Sequence, residues 1–146
     1  MTLTFDDRVI VPVADPEDAE RTTTALAPRL DRTSTVIIVH VIENDDGQAT
    51  TPREEYANEI LDRACAPLEG SDATVETETL YGDDVVATIF DAAETRDASA
   101  IAFTPREGGR ITEWLTGNMA RRLIREGSVP VIALPKVSLP RSDDED

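Results

Sequence analysis

From Thr104 to Ala120 the chain reads Thr-Pro-Arg-Glu-Gly-Gly-Arg-Ile-Thr-Glu-Trp-Leu-Thr-Gly-Asn-Met-Ala. Gly108 and Gly109 sit between Arg106 and Arg110, so open backbone and guanidinium groups could meet an anion there. Gly117, Asn118, Met119 and Ala120 open a short helical pattern, and the free N–H groups of a helix start can receive phosphate. Residues 104–128 carry a net charge of +2, whereas the rest of the chain carries −18. This positive island is a candidate anion site; the alternative is arginines paired with neighbouring carboxylates or solvated. His40 is the only histidine and lies in an apolar run. It reads as a satisfied core histidine rather than a catalyst. Cys65 is the only cysteine, which excludes an intramolecular disulfide and a cysteine-rich metal site and suggests a core filler. With no HxxH, CxxC or GxSxG pattern, no catalytic or metal-binding residue is assigned and no turnover is expected. Trp114 lies in the same loop and is expected to pack beneath it.

The surrounding pattern says what must hold these residues. Residues 8–13, 35–42 and 129–134 are short apolar runs that read as buried strands, as does 99–103. Residues 74–80 alternate acids with Val and Thr, which suits an edge strand guarded by charge. Helical spacing separates the strands. Asp15 with Pro16 signals a capped start, and Ala19, Thr23, Leu26, Ala27 and Leu30 follow, with Pro28 shortening the helix. Thr51-Pro52-Arg53-Glu54 has the form of a capping box, and Tyr56, Ile60, Leu61, Ala64 and Leu68 mark an inward face. Residues 82–96 form a third helix with Val86, Ile89, Phe90 and Ala93 inward, and residues 117–126 a fourth. Strands alternating with helices imply an α/β domain: one parallel sheet with helices on both faces, doubly wound. Ligands of such sheets sit beyond the carboxyl ends of the strands, near a switch in strand order.

The 146 residues amount to one domain, placed at 1–135, followed by an acidic tail, 136–146, expected to be disordered. The charge is −16, with 30 Asp+Glu against 14 Lys+Arg, and Lys136 is the only lysine. That balance opposes nucleic acid and anionic membrane surfaces as partners. Acid spread along the whole chain suggests a halophilic, salt-adapted protein, because concentrated salt screens such repulsion. The first residues lack a basic segment before a long apolar run, and the longest apolar run is too short to span a bilayer, so a cytoplasmic location is expected.

These segments resemble the universal stress protein (UspA) family over residues 5–135. Val9 to Val13 is similar to that family's first strand and Ile38-Val-His-Val41 to its second. Tyr81-Gly82 resembles the segment after its third strand, and residues 99–103, the glycine loop and 129–134 its carboxyl-terminal signature. The resemblance implies five parallel strands in the order 3-2-1-4-5, and a homodimer formed through the last strand, here Val129, Val131, Ile132, Ala133 and Leu134. Nucleotide-binding members carry G-x2-G-x9-G-[ST] after strand four and an aspartate ending strand one. Anchored on Gly117, those glycine positions fall at Thr104 and Glu107 here, the hydroxyl position at Asn118, and the aspartate position at Ala14, beside Asp15. Pro12, Val13 and Val41 match positions lining the adenine pocket. The displaced pair Gly108-Gly109 could still cradle phosphate.

The leading expectation is therefore a homodimeric regulatory or stress-response binding protein without tight ATP binding, needing no cofactor and acting on an unidentified protein partner. The alternative is a sensor of ATP or another adenine nucleotide with a diverged phosphate loop. A phosphoacceptor receiver domain ranks below both, because the acidic pair it needs after strand one is missing.

Overall fold

A computed structural model describes residues 8–43, 51–104 and 129–134. Five strands form one parallel sheet: β1 (Arg8–Pro12), β2 (Thr35–Glu43), β3 (Thr74–Gly82), β4 (Ala100–Phe103) and β5 (Val131–Ala133). Their order is β3-β2-β1-β4-β5, as expected. The strand order reverses on either side of β1, so its carboxyl end, beside those of β2 and β4, is the switch point.

Helices α1 (Pro16–Leu26) and α2 (Thr51–Cys65) cover one face and α3 (Val85–Thr95) the other. Alternation along the strands divides the core accordingly. Val9, Val11, Val13, Val36 and Ile38 pack with Leu26, Ile60 and Leu61 under the first two helices. Ile10, Ile37, Val39 and Val41 pack with Val86, Ile89 and Phe90 under α3. Central strands buried on both faces need unbroken apolar runs, and β1 and β2 have them. At the edge, β3 keeps Glu76 exposed, while Arg96 pairs with Glu78 through both its Nε (2.8 Å) and a terminal nitrogen.

Several boundaries differ from the sequence reading. Pro28 does end α1, but the chain continues as a 3-10 turn, Ala27–Arg29, because a proline ring clashes with a carbonyl one turn back. Gly82 closes β3 rather than opening α3, whose cap is Asp84, accepting from Ala87 N–H at 3.2 Å. Tyr56 is not on the inward face of α2; it is 45% exposed and Ala57 is buried instead, while Ile60, Leu61 and Ala64 are buried as expected. The expected helix at 117–126 and the tail 136–146 lie outside the described residues.

Candidate functional site

The candidate site is built from the turn after β1. Asp15 caps α1: its Oδ1 accepts from the backbone N–H of Asp18 at 2.7 Å. Asp18 answers, with Oδ2 accepting from Ala14 N–H at 2.9 Å. Asp15 thus satisfies a donor that the helix start would leave orphaned, and Asp18 ties down the residue before the cap. Asp18 is fully buried, and it carries the polar chain inward. Thr22, one turn along α1, places its hydroxyl 3.4 Å from Asp18 Oδ1 and 3.0 Å from Thr104 Oγ1. A hydroxyl has one proton and two lone pairs, and a carboxylate only accepts. The consistent arrangement is Thr104 donating to Thr22 and Thr22 to Asp18. This buried chain ties the start of α1 to the end of β4 across the switch point.

On the other side of β1 stands His40. Its Nδ1 lies 2.9 Å from the carbonyl oxygen of Val13. Burial pushes the imidazole below its ordinary range, against the opposing pull of the Val13 carbonyl and the negative charge of Asp15. The ring is therefore neutral at pH 7. Asp15 also acts on Tyr56, whose hydroxyl is held above its usual range first by burial and then by the charges of Asp15 and Glu59. Asp15 thus lies close enough to act on both His40 in β2 and Tyr56 on α2. Tyr81 stands farther out, donating to Glu54 Oε2 at 3.0 Å.

Of the residues singled out in the sequence, Pro12, Val13, Asp15, Val41 and Thr104 are buried at this end of the sheet. Arg106, Gly108, Gly109, Arg110, Gly117, Asn118, Met119 and Ala120 lie outside the described residues, as does Trp114. Asp18 and Thr22 were missed, although two acids three apart at a helix start, followed by a threonine one turn on, carried the signal. The expectation of a satisfied His40 holds for Nδ1, the one ring nitrogen with a partner among the described residues. Cys65 packs partly buried against the core, its thiol raised first by burial and then by Asp62 and Glu69. Among the described residues, no three His, Cys, Asp or Glu side chains converge to hold a metal ion. An open groove of about 520 Å³ between Pro28, Leu30, Pro67 and Ser71 lies at the opposite end of the sheet.

At the edges, β5 pairs only with β4 among the described strands. Val131 and Ile132 are half-buried, Ala133 is exposed and Leu134 turns inward. Val129 packs against the core under α3. Leu134 N–H bonds to Phe103 O at 2.8 Å, so by the two-residue period the Ala133 N–H faces the open edge. No helix among the described residues is long and apolar enough to cross a membrane.

Known proteins share this fold. A universal stress protein from Archaeoglobus fulgidus superposes with a TM-score of 0.68 at 23% identity, covering 90% of this chain and 95% of that one. A second structure from that organism, in complex with dAMP, gives a TM-score of 0.68 at 24% identity, covering 92% and 100%. A universal stress protein in complex with cAMP gives 0.59 at 16%, covering 88% and 96%. No match was found among curated proteins. Residues 7–135 match the universal stress protein family, and over that span strand order and sequence agree: the chain belongs to this family.

Proposed function

We propose that the chain is a regulatory, stress-response binding protein that works as a homodimer, does not hold ATP tightly and carries out no turnover. The observation that carries this reading is the acidic, self-satisfied end of β1. Ala14 offers no side-chain acceptor, while the carboxyl groups of Asp15 and Asp18 are committed to the helix start and to Thr22. A triphosphate placed beside them would meet like charge at low dielectric, and Glu107 adds another acid to the loop. Dimerisation is supported by β5, an uncharged edge strand with backbone available for pairing. The proline variant Ala133→Pro removes a donor from the open edge and leaves the β4 ladder intact. It is expected to turn a dimer into a monomer in sedimentation; a wild-type monomer would refute that part.

A second reading has its own support. Pro12, Val13 and Val41, which the family resemblance assigns to an adenine pocket, are apolar and buried at the ends of β1 and β2, and two structural relatives were solved with dAMP or cAMP, ligands with a single phosphate. An adenine nucleotide held there mainly by its base meets little electrostatic cost. The test is mass spectrometry of nucleotide released on denaturation, followed by calorimetric titration with ATP and AMP. The expected result is no stoichiometric ATP and weak AMP binding. Near-stoichiometric ATP in the released fraction would overturn the first reading.

A further inference from the structure

Among the described residues, one ring nitrogen of His40 has no hydrogen-bond partner. The side chain is 9% exposed, and its Nδ1 faces the Val13 carbonyl at 2.9 Å. A carbonyl only accepts, so Nδ1 carries the proton and Nε2 of the neutral ring presents a lone pair. Among the described residues no group bonds to Nε2. A buried acceptor without a donor is costly, and proteins rarely leave one.

The neighbourhood narrows what could satisfy it. Val13 is apolar and fully buried on the same face of the sheet, and the nearby charge is the carboxylate of Asp15, another acceptor. Tyr56, within reach of the same charge, is half-exposed on α2. An apolar side chain, an aromatic neighbour and two acceptors suit a flat heterocycle that brings an N–H donor. A ligand offering only lone pairs would be repelled.

We propose that Nε2 of His40 reads the base of the bound ligand, accepting a hydrogen bond from the exocyclic amino group of an adenine nucleotide seated on the ends of β1 and β2. This rests on the adenine-nucleotide reading and names a specificity-determining residue for it. Val13 acts as the positioning partner, since its carbonyl fixes which ring nitrogen keeps the lone pair.

The chain has a single histidine, so nitrogen-15 spectra of the whole protein carry one pair of imidazole resonances. These are followed while titrating AMP, and then purine riboside monophosphate, which lacks the amino group. The free protein is expected to show a protonated Nδ1 and an unprotonated Nε2. AMP should shift Nε2 towards the hydrogen-bonded range, and the analogue should leave it in place and bind roughly tenfold more weakly. His40→Asn retains a side-chain N–H for Val13 and lacks the outer acceptor, so it should bind the two ligands alike. If AMP saturates the backbone resonances while Nε2 stays unchanged, the assignment of His40 is overturned and the nucleotide reading stands. If neither ligand perturbs any resonance, the nucleotide reading itself falls, and this proposal with it.

Discussion

At the residue scale, the site depends on which polar atoms are spoken for. Asp18 is the keystone because it is fully buried and serves both a backbone donor and the Thr22 hydroxyl. Asp18→Ala leaves Ala14 N–H and two buried hydroxyls without their terminal acceptor. Denaturant unfolding should show a loss of about 2 kcal/mol, in line with hydrogen bonds to a charged group. His40 gives a pH signature. Its folded pKa lies below the ordinary histidine value of 6.5, so the unfolded chain binds the proton more readily. The stability it contributes is present above pH 6.5 and is lost as pH falls below that value. Thermal unfolding between pH 5 and 8 should therefore slope more steeply in the wild type than in His40→Asn, where the carboxylates still titrate but the imidazole does not. The sequence revealed Asp15 as a cap because the cap signal is local. It did not reveal that Thr22 meets Thr104, since those residues are 82 positions apart and only packing brings them together.

At the element scale, α3 is bounded by two local constraints. Its carboxyl end is a Schellman motif: Ala98 N–H reaches Ala93 O at 2.9 Å and Asp97 N–H reaches Glu94 O at 3.3 Å. Asp97 occupies the left-handed position with φ of 53°, which glycine adopts without cost. Asp97→Gly should stabilise the protein by roughly 0.5–1 kcal/mol, read as a raised Tm. Before its amino end, Gly82 lets β3 pass close to the first turn of the helix. A Cβ there would stand 2.0 Å from Thr88 Oγ1. Gly82→Ala should cost about 1–3 kcal/mol, and adding Thr88→Ala should recover much of it in a double-mutant cycle. The sequence marked Gly82 as an element boundary but assigned it to the helix. A lone glycine does not say which side it ends; the contact with Thr88 does.

At the scale of the whole molecule, the charge of −16 is the dominant feature. The ion pairs Arg63–Glu20 and Arg21–Glu17 are partly exposed and contribute little individually. Self-repulsion is the larger effect, and salt attenuates it as the screening length falls from about 8 Å at physiological ionic strength to about 3 Å at 1 M. If the protein is salt-adapted, Tm should rise on the order of 5 °C between about 0.1 and 2 M KCl. A flat or falling Tm would identify an ordinary acidic protein.

The sequence by itself determined the alternation of strands and helices, the apolar runs of β1 and β2, the charged edge at β3 and the cap at Asp15. Each follows from the period of burial or from contacts within a few residues, which are written directly into the order of side chains. The tertiary structure alone decided the chain of hydroxyls from Asp18 to Thr104, the exposure of Tyr56, and which nitrogen of His40 meets the Val13 carbonyl. Those properties depend on which strand ends meet at the switch point, and distances across a fold are set by packing rather than by spacing along the chain.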